Sequence, residues 1–225
     1  MNFLKKVWPI VWKDMISELR SKEVLISMCF FAFLVLIILN FAFFTGIGQV
    51  SGILSGILWV AFIFSGLLGL NQTFGSEKDR GSLQGLLLCP VSRATIYVGK
   101  VIGNFLFMSI MEILILVLFA ILFRVNLWGV LTPLSLIIFL GTLGFVSVGT
   151  IFSAMSVNAR AREILLTVIL FPIVVPLIIA SVKATEKIFQ GRPLAEIYGW
   201  LKILIAFDLI FFLVSYWTFD FVVEE

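Results

Sequence analysis

The sequence contains no histidine and only two cysteines, Cys29 and Cys89, among its 225 residues. Histidine is the commonest metal ligand and general base, so its absence argues against zinc proteases, Ser–His hydrolases and bis-histidine haem proteins. The two thiols are predicted to be small buried hydrophobic residues instead of a disulfide or a metal pair. The motifs G-x-x-x-x-G-K-[ST], H-E-x-x-H and G-x-S-x-G are also absent, so the chain itself is predicted to be neither an ATPase nor one of these hydrolases.

Charged residues are scarce as well, at 13% of the chain, whereas 61% is hydrophobic and the mean hydropathy is +1.18. These values lie far outside the range of soluble proteins, so lipid must serve as the solvent. The net charge of +3 comes from lysines and arginines dispersed along the chain. Nucleic-acid binding would need a basic stripe, and none is present. We therefore expect one all-α integral membrane domain, residues 1–225.

Residues 2–22 combine apolar positions at three- and four-residue spacing with lysines on the opposite face. This pattern predicts an amphipathic helix that lies in the membrane interface. A soluble, core-facing helix would show the same pattern, but a long uncharged run follows at once. The mixed charges and the absence of a small-residue cleavage site argue against a cleavable signal peptide.

Six long apolar runs follow the amphipathic segment. The first is uncharged over 21 residues and, as a helix, would be about 31 Å long, which matches the hydrocarbon core of a bilayer. The predicted transmembrane helices are residues 24–44, 53–70, 101–123, 134–155, 164–182 and 203–223.

The distribution of basic residues predicts the orientation. With the N-terminus inside, eleven lysines and arginines fall on the cytoplasmic side and five on the other. The positive-inside rule therefore places the N-terminus in the cytoplasm. An even number of spans places the C-terminus there too.

The segment Phe74–Lys100, FGSEKDRGSLQGLLLCPVSRATIYVGK, is a charged island between two apolar runs. Ser76 and Asp79 resemble a capping box that would start a helix, a short amphipathic helix is predicted over 82–88, and a second helix is predicted to begin at Ser92. We expect a cytoplasmic coupling loop that contacts a partner. The alternative is an ordinary polar loop.

Two carboxylates and two prolines stand out inside the predicted spans. A carboxylate in hydrocarbon costs about 2.5–3.5 kcal/mol on insertion scales, so Glu112 should face the bundle interior, either as a functional group or in a structural hydrogen bond to a Ser, Asn or Thr. Asp208 is predicted to be structural. Pro172 and Pro176 should kink or break the fifth span, as a hinge or as a packed bend.

The coupling loop resembles the first cytoplasmic loop of type-2 ABC exporter permeases. In that family a pattern of the form E-x-x-x-G-x-L-E-x-L-L-x-x-P docks on the ATPase subunit, and Gln84 stands here where many relatives have an acidic residue. The residues that carry the resemblance are Glu77, Asp79, Gly81, Leu83, Leu86, Leu87, Pro90 and Lys100. The docking residues that it implies are Glu77, Asp79, Arg80, Gly81, Leu83, Leu86, Leu87 and Pro90.

A second stretch, residues 158–181 (NARAREILLTVILFPIVVPLIIAS), is similar to the L-L-x-x-x-x-x-P-x-x-x-P segment of the haem exporter protein B family. That resemblance implies an inner-membrane permease subunit for cytochrome c maturation. Its implied partners are a cytosolic ABC ATPase that binds ATP, a second copy of the chain, a haem-handling membrane subunit and a periplasmic haem chaperone. Haem would be a transported or a handled ligand, and no cofactor would reside in this chain.

Two other functions remain open at this point. A type-2 exporter of a lipid, glycan or drug would have the same architecture. An intramembrane enzyme would need Glu112 and Asp208 to converge, and their predicted depths differ.

Overall fold

The computed structural model describes residues 3–20, 22–43, 51–79, 81, 85, 91–157, 159 and 161–222. This part of the chain contains seven helices with defined bounds. They are α1 (Phe3–Arg20), α2 (Lys22–Phe43), α3 (Ser51–Asp79), α4 (Arg93–Phe123), α5 (Leu131–Ser156), α6 (Arg162–Phe189) and α7 (Leu194–Val222).

The six helices from α2 to α7 are long and apolar enough to cross a membrane. Each contains one of the predicted spans, apart from residue 44 and residue 223, which lie outside the described residues. The predicted all-α fold with six spans after an N-terminal helix is confirmed. The chain is a multi-pass membrane protein.

Helices α3 and α5 form the centre of the bundle. In their most apolar stretches, 72% and 67% of the residues are buried, against 17% in α2 and 22% in α7. Helix α5 packs against α3, α4, α6 and α7. Its glycines allow close approach: a Cβ atom at Gly149 would lie 2.2 Å from Leu70 Cδ1. Small residues at helix contacts are typical of membrane bundles.

Helix α1 packs along α4 instead of standing apart from the bundle. A Cβ atom at Gly99 would lie 2.8 Å from Ile10 Cγ2, and one at Gly103 would lie 3.4 Å from Asp14 Cβ. Two glycines one turn apart on α4 therefore form the surface that α1 covers. On the other side of α1, Trp8 and Trp12 are exposed and stack on each other with ring centroids 6.4 Å apart.

One detail of the prediction is wrong, and two further segments are helical throughout or nearly so. Helix α3 continues through Ser76 to Asp79, so these residues end a helix and do not form a capping box at the start of one. Residues 185–199 are divided between the end of α6 and the start of α7. Helix α6 also continues through its prolines without a break. A helix that extends beyond the membrane keeps its backbone hydrogen bonds in water. Polar side chains at the ends of the apolar runs therefore did not by themselves end α3, α6 or α7.

Two other predictions for these segments have different outcomes. Helix α4 is capped by Ser92, whose Oγ accepts a hydrogen bond from the Thr95 N–H at 3.3 Å, and the predicted helix start there is confirmed. Pro172 and Pro176 are both exposed on the outside of α6. Their proposed bend stays a prediction.

Candidate functional site

Four charged side chains from three helices meet where α3 ends and α4 begins. We call Lys13, Asp14, Glu77 and Lys100 the ion cluster. Lys100 Nζ lies 2.8 Å from Glu77 Oε1 and 3.1 Å from Asp14 Oδ2. Lys13 Nζ lies 3.1 Å from Asp14 Oδ1 and also pairs with Glu77 Oε1. The cluster thus joins α1 to both helices that flank the coupling loop.

The ion cluster is largely enclosed, so its charges depend on one another. Lys100 is 2% exposed and Glu77 is 7% exposed. Although partial burial lowers the pKa of Lys13, the attraction of Asp14 and Glu77 outweighs it and raises that pKa above its usual range. Lys100 Nζ also lies 5.1 Å from the centre of the Phe74 ring, a cation–π contact. Two cations and two anions balance in one compact group.

A chain of hydrogen bonds continues from the ion cluster into the bundle. Lys100 Nζ donates to the backbone oxygen of Thr73 at 3.4 Å, and Thr73 Oγ1 donates to Asn104 Oδ1 at 3.0 Å. Asn104 Nδ2 in turn donates to Thr150 Oγ1 at 3.0 Å. Ser153 Oγ donates to the backbone oxygen of Leu70 at 2.8 Å. These bonds connect the ends of α3 and α4 to the central helix α5.

The predicted docking residues have different places in this structure. Glu77 is bound within the chain by Lys13 and Lys100. Asp79 is exposed at the last position of α3, and Gly81 follows in a turn with φ +67°, a conformation that favours glycine. The other predicted docking residues, Arg80, Leu83, Leu86, Leu87 and Pro90, lie outside the described residues, as does most of the predicted helix over 82–88. Docking on an ATPase stays a prediction.

Glu112 faces the bundle interior, as its cost in hydrocarbon predicted. It is 5% exposed, and Thr142 Oγ1 on α5 donates to its Oε1 at 2.5 Å. Beside it lies an inner cavity of about 10 Å³, bordered by Trp59, Met108 and Ser181 as well as by Glu112 and Thr142. That volume suits about one water molecule.

Asp208 lies against α5 at almost the same level as Glu112. It is 5% exposed, and a Cβ atom at Gly144 would lie 2.4 Å from Asp208 Oδ1. Thr142, which binds Glu112, and Gly144, which lies against Asp208, are two residues apart on α5. That spacing is about 3 Å along the helix axis and about 200° around it. The expected difference in depth is therefore absent. The two carboxylates do not converge, because they approach α5 from opposite faces.

Neither carboxylate oxygen of Asp208 has a hydrogen-bond partner in the part of the chain that the structure describes. Within those residues, Thr142 is the one hydrogen-bond partner of Glu112, and no cation pairs with it. Both groups can therefore still take a proton or a donor from elsewhere. An isolated buried carboxylate is costly unless it is neutral or paired.

The ion cluster was not predicted, although the sequence contains a signal for it. Lys100 and Asn104 stand one helical turn apart at the start of an otherwise apolar run. Polar residues at that spacing share a helix face, which would have predicted a buried polar contact there. Asp14, 86 residues away from Lys100, could not be assigned as its partner from the sequence.

Comparison with known protein families identifies the family of this chain. The model of one family, described as CcmB protein, matches residues 5–224. The chain belongs to the CcmB family. The match covers all seven described helices almost completely, and it confirms the resemblance drawn from residues 158–181.

Several curated relatives support the assignment to the CcmB family. Heme exporter protein B of Pseudomonas aeruginosa is 29% identical over 154 residues, which cover 68% of this chain and 69% of that protein. Heme exporter protein B of Haemophilus influenzae is 26% identical, covering 79% of this chain and 80% of that protein. Heme exporter protein B of Rhodobacter capsulatus is 27% identical, covering 65% and 69%.

Proposed function

We propose that this chain is the permease subunit of an ABC transporter complex that delivers haem for c-type cytochrome biogenesis. In this proposal it couples ATP hydrolysis by a partner to release of a haem-loaded chaperone. The observation that carries the proposal is the CcmB family match over residues 5–224, together with relatives that bear the name Heme exporter protein B. Six apolar helices fit a permease subunit.

The ion cluster gives this subunit a route for transmitting movement. The coupling loop leaves α3 after Asp79 and returns at α4, and Glu77 and Lys100 hold those two ends together. Movement of the residues between α3 and α4 would displace the paired side chains of Glu77 and Lys100. Through Asp14 it then reaches α1, and through Asn104 and Thr150 it reaches α5. The contacts between helix ends thus couple the loop to the centre of the bundle.

ATP hydrolysis is assigned to a partner because the sequence contains no phosphate-binding loop. The partner is a cytosolic ABC ATPase, and the excess of basic residues favours an inner-membrane orientation with the coupling loop and both termini in the cytoplasm. The other proposed partners are a second copy of this chain, a haem-handling membrane subunit and a periplasmic haem chaperone.

Deletion of the gene should abolish the accumulation of c-type cytochromes, and the wild-type gene should restore it. Haem-stained gels and difference spectra of membranes measure this result. A strain with normal c-type cytochromes after deletion would contradict the proposed function.

The purified subunit alone should show no stoichiometric, axially ligated haem spectrum, because the sequence has no histidine to offer the iron. Such a spectrum would support a haem conduit instead of transmission of movement.

Leu86→Asp should reduce co-purification of the ATPase about 30-fold or more while leaving the subunit in the membrane. One polar substitution at a buried interface position costs about 2 kcal/mol or more. Asp79→Lys should also reduce co-purification of the ATPase. Glu77 is less informative for this test, because its reversal also disturbs Lys13 and Lys100.

The docking test has one control variant and one outcome that would contradict it. Lys202→Glu changes charge at an exposed position of α7 far along the chain and should leave ATPase recovery at the wild-type level. Full recovery with both Leu86→Asp and Asp79→Lys would place the ATPase contact outside the coupling loop.

Glu112→Gln should impair cytochrome c maturation without lowering the amount of subunit in the membrane. Glutamine keeps the shape and accepts the Thr142 hydrogen bond, but it cannot ionise. Cytochrome content normalised to subunit abundance is the measurement. Thr142→Val is the matched control, because it removes the hydrogen bond and leaves the carboxyl group. Wild-type activity of Glu112→Gln would assign Glu112 a structural role.

A further inference from the structure

A groove lies between α4 and α5 on the outside of the bundle, and Glu112 forms part of its wall. Its volume is about 500 Å³, within the range of about 300–1,000 Å³ that is typical of small-molecule sites. Phe105 and Phe139 close one end with an edge-to-face contact, their ring centroids 5.2 Å apart. The side is open: Ile113, on its rim, is 62% exposed. The groove is therefore accessible from the lipid.

Three hydroxyl groups line the groove, and those of Ser109 and Ser135 have their hydrogens bound within their own helices, whereas the third belongs to Thr132. Ser109 Oγ donates to the backbone oxygen of Phe105 at 2.8 Å, and Ser135 Oγ donates to the backbone oxygen of Thr132 at 2.9 Å. Both hydroxyl hydrogens are used within their own helices, and the oxygens keep lone pairs. Glu112 lines this groove as well as the inner cavity, and its Oε1 is bound to Thr142, so its other carboxyl oxygen is the acceptor left for a ligand that brings a positive charge or a donor.

The groove offers this ligand no competing cation. Among the described residues that line it, none is basic, and Glu112 is the one ionisable side chain. The carboxylate of Glu112 has no counter-ion among the described residues, and a bound ion of opposite charge would supply one. The rest of the lining is mostly aliphatic and aromatic, which suits an apolar ligand body.

We propose that this groove binds a lipophilic cation taken from the membrane. The apolar body lies between α4 and α5, and the positive group lies against Glu112. A lipid acyl chain would fill the same space but would leave the carboxyl group without a partner. The lining residues include no methionine, cysteine or tyrosine, so the groove lacks the usual axial ligands of haem iron. Binding at this groove requires neither the coupling loop nor a partner ATPase, although it uses Glu112, whose glutamine variant should also impair maturation.

Two probes of the same shape and opposite charge test the proposal. Tetraphenylphosphonium and tetraphenylborate are each titrated into the purified full-length protein in nanodiscs of phosphatidylcholine, and empty nanodiscs give the non-specific background. Tetraphenylphosphonium should bind saturably, and tetraphenylborate should show no binding above background. Glu112→Gln should weaken tetraphenylphosphonium binding about ten- to a hundred-fold, as expected for the loss of a charged contact.

Two further variants separate the groove from the protein as a whole. Ser135→Trp fills the groove and should abolish binding, whereas Asp220→Asn removes an exposed carboxylate at the end of α7 and should leave it unchanged. Equal binding of both probes, or unchanged binding to Glu112→Gln, would overturn the proposal in favour of simple apolar partition. Disulfide-linked dimers of Ser135→Cys without tetraphenylphosphonium binding would overturn it too, because the groove would then be an interface between two copies.

Discussion

Lys100→Met should lower the free energy of unfolding by about 3–5 kcal/mol, the loss expected when one partner of a buried ion pair is removed. Methionine has a similar length but carries no charge, so the partly exposed Lys13 becomes the one cation of the ion cluster opposite Asp14 and Glu77. It also removes the hydrogen bond to Thr73 and the contact with the Phe74 ring. The unfolding midpoint in a fixed detergent, followed by heating or by denaturant, measures the loss.

A double variant distinguishes loss of charge balance from loss of packing. Lys100→Met combined with Glu77→Gln removes one cation and one anion, so the Lys13–Asp14 pair remains in balance. Its destabilisation should be smaller than the sum of the two single losses, because the residues interact directly. Lys202→Met, at an exposed lysine, is the control and should leave the midpoint unchanged. Strict additivity would show that the ion cluster contributes nothing as a unit.

Gly141→Ala should destabilise the bundle by about 2–5 kcal/mol, through overpacking and a broken hydrogen bond. The added Cβ atom would lie 2.2 Å from Trp59 Cη2 and 2.7 Å from Cζ3, too close for any side chain. The ring cannot turn away without a cost, because Trp59 Nε1 donates to Thr185 Oγ1 at 3.0 Å in the buried interior. Thermal unfolding in detergent tests the prediction.

The same substitution elsewhere provides the comparison for Gly141→Ala. A Cβ atom at Gly56, on α3, would meet nothing within 4 Å, so Gly56→Ala should cost no stability. Trp59→Phe combined with Gly141→Ala should lose less than the two single variants together, since the smaller ring makes room for the methyl group. A Gly141→Ala variant as stable as Gly56→Ala would show that α5 does not approach Trp59 this closely.

The spans could be predicted from the sequence because hydrophobicity and length are properties of one continuous segment. The end of α3 could not, because Gln72 and Glu77 mark the end of an apolar run but do not end a helix. Membrane crossing depends on side-chain polarity, whereas a helix continues wherever its backbone hydrogen bonds can form. The prediction took the end of the apolar run for the end of the helix.

The candidate site was predictable in part for a related reason. The cost of a carboxylate in hydrocarbon is local, so the inward orientation of Glu112 followed from the sequence. Its partner Thr142 did not, because that contact depends on how α4 and α5 are rotated against each other. Glu77 was predicted as a contact for another protein. Its partners inside the chain lie 64 and 23 residues away, at distances that only the folded bundle brings together.

The ion cluster also bears on the order in which the protein assembles during synthesis. Helix α1 precedes its partners in the chain, since Glu77 lies near the end of α3 and Lys100 lies in α4. Lys13 and Asp14 can therefore complete the ion cluster only after α2, α3 and the start of α4 have been synthesised. Helix α1 thus reaches its final position later than its place in the chain suggests, and the glycine surface of α4 at Gly99 and Gly103 is the place that receives it.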